Sequence, residues 1–292
     1  MVKSIFDTIK TYFILTKPRL WSLLVYSGIA GYLIASGGRI DTTLLVLFIS
    51  LLAGTAGANT ITSYIDLDID RIMVRTRKRP LPSGLIDPPT KALIFGFTLS
   101  GIAVITSYMI NLATLALMVF GLFDNIVVYS LLSKRRTRWN IILGSFSGGA
   151  TIAMGYTAFL NTLPLEGIIL AGLIVIWTPL HIWSLALYWR DDYIKAGVPM
   201  LTAVVDEKVA IRCLGFSAII LVIFSLILPI FGGVFMHPVY LIIASILDLI
   251  VLYFSFKLII KPDKRIAWIL FKITSPYLFI VLTTLIILSI YV

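Results

Sequence analysis

Charge is what this sequence has least of. Asp, Glu, Lys and Arg make up 13% of its 292 residues, about half the share found in soluble domains. Hydrophobic residues reach 59% and the mean hydropathy is +1.02. Too little polar material remains to coat a globule in water, which excludes a soluble domain and a disordered chain. A lone cysteine, Cys213, excludes an intramolecular disulfide and with it a disulfide scaffold. Acids are scarcer than bases, 14 against 24, for a net charge of +10. That surplus does not indicate nucleic acid, because no basic patch is interleaved with base-stacking aromatics. In a chain this apolar, excess Lys and Arg mark cytoplasmic loops. The class that remains is an all-α polytopic membrane protein. The short alternating strands of a membrane β-barrel are not seen.

A helix needs about 20 mostly apolar residues to cross the hydrocarbon core. Nine stretches qualify, at 21–36, 43–65, 92–110, 112–132, 141–160, 165–188, 209–231, 239–260 and 273–292. With nine spans, the basic residues from Lys3 onward fall on one side, and only Arg39 falls on the other. One helix more or fewer scrambles that division. The expectation is one membrane-embedded domain over 1–292, N-terminus cytoplasmic and C-terminus outside, in the plasma membrane. Residues 1–19 lack the layout of a cleavable signal peptide or a transit peptide. Ile5, Phe6, Ile9, Tyr12 and Phe13 recur there at helical spacing, which predicts a short interfacial helix ended by Pro18.

Two acidic clusters sit on the cytoplasmic side. Asp66-Leu67-Asp68-Ile69-Asp70 ends the second span, and Asp191-Asp192 ends the sixth. On a helix, Asp66 and Asp70 share a face with Asn59 and Ser63, and Asp68 points away. Carboxylates one turn apart repel unless a cation lies between them, and carboxylate with water suits Mg²⁺ completed by phosphate oxygens. Arg71, Arg75, Arg77, Lys78 and Arg79 follow at once. Acids for a metal beside bases for anionic oxygens make a candidate diphosphate site. The plain alternative is an acidic helix end neutralised by its own arginines. Asp192 is the natural third carboxylate if the second and sixth helices are neighbours. Asp191 is either solvated or paired with Arg190.

These residues resemble the first aspartate motif of the UbiA-type membrane prenyltransferases. The tail Arg75-Thr76-Arg77-Lys78-Arg79-Pro80-Leu81 is similar to the protoheme IX farnesyltransferase (heme O synthase) branch. Further segments agree: Thr16-Lys17-Pro18-Arg19, Lys134-Arg135-Arg136-Thr137 with Asn140, Trp177-Thr178-Pro179 with His181 and Trp183, and Asp192-Tyr193 with Ala196-Gly197-Val198-Pro199-Met200-Leu201. They run from residue 16 to 201; the last third adds only helix count. The resemblance implies transfer of a farnesyl group from farnesyl diphosphate to a vinyl group of protoheme IX, with diphosphate released. It implies Mg²⁺ at Asp66, Asp70 and Asp192, and diphosphate contacts from Arg19, Arg75, Lys78, Arg79, Lys134 and Arg135. It also implies a lipid-embedded setting and partners that handle heme or assemble oxidases. The sequence departs from the family pattern in two places. The Asn four residues before Asp66 is Thr62 here, and Asn59 lies closer to the Asp66/Asp70 face as a supporting group. The paired prolines of the fifth helix are replaced by Ala150-Thr151-Ile152-Ala153.

His181 has two readings, a heme contact or a hydrogen bond between helices. Asp124 is expected at a cavity or substrate, and Asp248 in an interhelical hydrogen bond. Gly144, Gly148 and Gly149 are expected to permit close helix contact. Two other classes share some features. One is a prenyltransferase of the same superfamily acting on a quinone precursor or lipid. The other is a transporter, which intramembrane ionisable residues also suit, although the acids gather at one face and no inverted repeat is seen.

Overall fold

The computed structural model describes residues 5–291. Lys3 and Val292, which the sequence reading used, lie outside the described residues. The chain runs as α1 (Ile5–Leu15), α2 (Pro18–Ser36), α3 (Thr42–Ile65), α4 (Leu67–Ile72), α5 (Thr90–Ile110) and α6 (Leu112–Phe123). A π-helical stretch, Asp124–Ser133, continues α6. Then follow α7 (Asn140–Leu143), α8 (Phe146–Leu160), α9 (Leu165–Tyr188), α10 (Arg190–Lys195), α11 (Leu201–Val204) and α12 (Glu207–Ile227). Two tight turns lead into α13 (Pro238–Ile260) and α14 (Lys264–Tyr291). Among the described residues there is no strand.

Seven helical stretches among the described residues are long and apolar enough to cross a membrane. They correspond to the second, third, fourth, sixth, seventh, eighth and ninth expected stretches, the last beginning nine residues earlier than expected. The other two expected stretches are shorter helices, α2 with 19 residues and α8 with 15. The fifth stretch is broken because Asp124 intervenes. Its Oδ2 accepts the Ser147 backbone N–H at 2.7 Å and so satisfies an orphan donor at the start of α8. The ring of Tyr129 fills the space beside Gly144 at the same break.

α2 and α8 pack backbone to backbone. A Cβ on Gly155 would stand 2.2 Å from the Gly28 carbonyl oxygen and 2.4 Å from the Tyr32 nitrogen, so only glycine permits this approach. A large apolar core joins α9, α12, α13 and α14. Within it Tyr277 donates to Asp248 Oδ1 at 2.9 Å, the interhelical bond expected of that acid.

Two long helices end in matching corners. α3 stops at Asp66 (φ −92, ψ 10) and α9 stops at Trp189 (φ −99, ψ 27). A six-residue helix follows each corner, α4 and α10, and these carry Asp70 and Asp192. The corners place both acidic clusters at one end of the bundle.

Candidate active site

The site is built from α4, α10, the segment after each, and the end of the π-helical stretch. Asp66, Asp70 and Asp192 are all buried, at 3%, 5% and 6% exposure. A buried carboxylate needs a partner, and each has one that comes from a distant part of the chain or from the basic loop. Lys134 donates to Asp66 Oδ2 at 2.5 Å. Arg79 donates to Asp70 Oδ2 at 3.2 Å. The backbone N–H of Arg75 donates to Asp192 Oδ2 at 3.0 Å, so α10 is tied to the basic loop. The Arg75 guanidinium reaches the Tyr193 hydroxyl at 3.2 Å, beside the Tyr193 ring. Thr76 donates to the Asp70 carbonyl and fixes the turn that aims Arg79 back.

The loop that follows the second span therefore reaches the end of the sixth, and this loop, not direct packing of α3 on α9, brings Asp192 to the basic residues. The helix through Asp66 and Asp70 is not continuous, since α3 breaks at Asp66. Their common face survives because the Asp70 N–H still bonds the Asp66 carbonyl at 2.8 Å. Asp68 does point away: it is exposed and paired with Arg135, whose hydrogen bonds hold its carboxyl below the usual range.

Other predicted residues are placed differently. Arg135 is spent on Asp68 and the Ile65 carbonyl rather than on the buried acids. Arg19 and Lys78 are exposed and outside this network. Lys17 takes the place expected of Arg19. It stands in the left-handed region at φ +60, between α1 and α2, and lines a small cleft with Ser63, Asp70 and Arg79. Burial, then the charge of Arg79, brings its ammonium down to about 7 against the pull of Asp70 and Asp66. Burial works to raise the Asp70 carboxyl, but Lys17, Arg79 and Lys134 together hold it below the usual range. Lys17 and Tyr193 stood in the sequence inside matched segments, Thr16-Lys17-Pro18-Arg19 and Asp192-Tyr193, with no role assigned to them. The Lys-Pro pair signals only the break between α1 and α2, because proline disfavours helical backbone in the residue before it; the left-handed turn at Lys17 is not foretold by it.

Asp191 is exposed and pairs with Lys264 at 2.7 Å, not with Arg190. Arg190 instead holds the carbonyls of Thr202 and Val205. Thr62 is buried and its hydroxyl donates to the Asn59 carbonyl. Asn59 lines a cavity lower in the bundle. His181 lies between the rings of Trp177 and Phe271, 4.4 and 4.5 Å from their centroids, with Nδ1 2.7 Å from Thr274 Oγ1. That is the interhelical hydrogen bond between α9 and α14.

The arrangement is an anion cradle with its own counter-ions: buried carboxylates alternating with Lys17, Arg75, Arg79 and Lys134. The model of the UbiA prenyltransferase family matches residues 24–283. The chain belongs to the UbiA prenyltransferase family. It is 43% identical to the protoheme IX farnesyltransferase of Thermoplasma volcanium over 94% of this chain and 95% of that protein. In structure, digeranylgeranylglyceryl phosphate synthase superposes with a TM-score of 0.77 at 25% identity, over 98% of this chain and 100% of that one. A UbiA homologue from Archaeoglobus fulgidus, solved with DMAPP and Mg²⁺, gives a TM-score of 0.68 at 15% identity, covering 94% and 99%. The fold of this multi-pass membrane prenyltransferase is thus that of its family.

Proposed function

We propose that this UbiA-family enzyme transfers a farnesyl group from farnesyl diphosphate to a vinyl group of protoheme IX. The observation that carries the reading is the alternation of buried acids and bases at the two helix corners. A protein that only packed these acids away has no use for four cations around three carboxylates. A prenyl diphosphate has a use for both: the bases take its oxygens, and the acids take the metal that accompanies it.

Asp66, Asp70 and Asp192 are the residues that would hold Mg²⁺. They fit it on chemical grounds, since all three are hard oxygen donors and Asp66 Oδ1 is buried with no hydrogen-bond partner. Among the described residues no three such side chains are gathered closely enough to hold an ion alone. Sharing it with diphosphate oxygens accords with the reluctance of Mg²⁺ to be caged by protein. When bound, the ion supplies charge neutralisation at the leaving diphosphate. Arg79 and Lys134 would turn from Asp70 and Asp66, and the Arg75 guanidinium from Tyr193, toward the phosphoryl oxygens, with Lys17 closing the cleft from the turn between α1 and α2. The exposed Arg19, Lys78 and Arg135 lie further out and attract the anion before it enters.

We place the nine expected stretches across the plasma membrane, with α2 and the α7–α8 pair as the two shorter crossings and the site facing the cytoplasm. The domain is single, and α1 lies on the surface with Ile5, Phe6, Ile9 and Phe13 exposed toward lipid. The relative from Thermoplasma volcanium supports protoheme IX as the acceptor, by identity over nearly the whole chain. Mass spectrometry of heme extracted from cells with and without this chain tests the reading. A farnesylated, hydrated heme present only with the chain is the expected result. A prenylated quinone precursor or lipid in its place transfers the assignment to another branch of the family.

A further inference from the structure

Two adjoining side chains at the candidate site carry hydrogen-bond donors that no group of the chain accepts. Tyr193 is 4% exposed on α10, next in sequence to Asp192. Its backbone N–H bonds the Trp189 carbonyl and its carbonyl accepts from Val198, so the corner after α9 fixes where the ring stands. Its hydroxyl accepts from Arg75 Nη2 at 3.2 Å. A phenol also has one proton to give, and among the described residues that bond from Arg75 is the only one at the hydroxyl. The second donor is Arg75 Nε, buried and without a partner. The Arg75 backbone N–H, by contrast, is spent on Asp192 Oδ2. Buried donors are nearly always paired, because an unpaired one forfeits its hydration for nothing. Two on adjoining side chains fit an acceptor that a ligand brings.

The surrounding charges indicate the kind of acceptor. The Arg75 guanidinium stands 5.9 Å from the centroid of the Tyr193 ring, and Arg79 and Lys134 both lie within electrostatic reach of the hydroxyl. Three cations and two unspent donors suit an anionic oxygen. A hydroxyl and an amino group 3.2 Å apart can both donate to one oxygen set between them. We propose that Tyr193 is a further catalytic residue, whose hydroxyl donates to a diphosphate oxygen of the prenyl substrate beside the Arg75 guanidinium. The inference rests on the prenyl-diphosphate reading above. In that reaction the bond from farnesyl C1 to diphosphate oxygen breaks, and its electron pair leaves with diphosphate. The vinyl π pair of the acceptor forms the new bond to C1. Negative charge on the diphosphate rises as the bond breaks, so a donor held against it stabilises the transition state more than the bound substrate. The phenol proton stays on Tyr193 throughout, and the step needs no further reactant.

Tyr193→Phe tests this, because the buried ring stays and only the hydroxyl goes. Single-turnover release of diphosphate from farnesyl diphosphate and protoheme is followed in lipid nanodiscs with Mg²⁺, for wild type, Tyr193→Phe, Arg75→Met and the double variant. Tyr193→Phe is expected to release diphosphate about 100-fold more slowly, the scale of one lost donor to a developing anion. In steady state its KM for protoheme is unchanged, whereas inhibition by inorganic diphosphate weakens about tenfold, as loss of a hydrogen bond to a charged group does. In the Arg75→Met background the same change slows release further. A wild-type rate in Tyr193→Phe overturns the proposal. An equal loss of affinity for protoheme and for diphosphate also overturns it and assigns the residue to packing. So does a double variant no slower than Arg75→Met, because Tyr193 then acts only by holding Arg75. Failure of the wild-type enzyme to release diphosphate refutes instead the reading on which the proposal rests.

Discussion

Two sets of ionisable side chains are buried in this molecule, and they are satisfied in opposite ways. At the helix corners, Asp66, Asp70 and Asp192 are met by Lys134, Arg79 and the Arg75 backbone, and one oxygen of Asp66 is left without a partner. Within the bundle, Asp124 caps the start of α8, Asp248 accepts from Tyr277, and His181 is stacked between rings and bonded to Thr274. The second set meets neutral neighbours on adjoining helices and ties those helices together, although Asp248 Oδ2 is likewise left without a partner. The first set is met by the cations Lys134 and Arg79 and by the Arg75 backbone N–H, and under the proposed function a polyanion recruits those cations. Under the proposed function, the charge of the partner rather than intramembrane charge alone separates the two sets.

The widest separation between the sets is expected in turnover. Asp66→Ala, Asp70→Ala and Asp192→Ala each lower kcat by a factor of about 100 to 1000 or more, the scale of lost transition-state electrostatics, with folded protein still accumulating. Asp248→Asn keeps kcat within a few-fold, and so does Asp68→Ala. Steady-state kinetics normalised to folded protein checks all five. An inactive Asp248→Asn enzyme erases the comparison.

A pH effect comes next. Lys17 is brought down to about 7, so it is cationic below that pH and neutral above it. Its folded value lies below the ordinary lysine value, so the folded state binds fewer protons between about 7 and 10.5. Stability from this group accordingly rises as pH rises through that window, whereas the cradle loses a cation. Affinity for inorganic diphosphate therefore weakens as pH rises through about 7. Isothermal titration at several pH values shows this step in wild type. Its persistence in Lys17→Met assigns the step to the ligand's own titration.

Asn59→Ala is expected to lower turnover by about tenfold, as removal of a supporting group does, and Thr62→Ala by less, because the Thr62 hydroxyl is spent on the Asn59 carbonyl. A fast Asn59→Ala enzyme beside a crippled Thr62→Ala enzyme reverses the assignment. The smallest effect is at Tyr277→Phe, which removes the bond to Asp248. It costs about 1 kcal/mol of stability and leaves kcat unchanged, as denaturation and kinetics on one preparation reveal.

Hydropathy runs were enough to read the helical class and the long apolar helices, because lipid leaves the backbone few other choices. The common face of Asp66 and Asp70 was legible from their spacing, and their closeness to cations from the basic loop that follows. The breaks were not. Nothing in the run from 141 to 160 shows that an acid on another helix caps Ser147 and starts α8 afresh. Lys17 and Arg19 look alike in sequence. A left-handed residue at the turn carries the first into the cleft and leaves the second outside. Arg135 and Arg190 were lost to long-range partners, Asp68 and the Thr202 and Val205 carbonyls, which spacing along one chain cannot reveal.

The central claim is that the corner acids act with a divalent metal on a prenyl diphosphate. Release of diphosphate from farnesyl diphosphate and protoheme by purified enzyme in nanodiscs tests it most directly, with Mg²⁺ supplied and then chelated, for wild type, Asp66→Asn and Asp248→Asn. The account predicts release by wild type and Asp248→Asn that chelation stops and Mg²⁺ restores, and none by Asp66→Asn. Release by Asp66→Asn at the wild-type rate, or release that chelation leaves untouched, contradicts it.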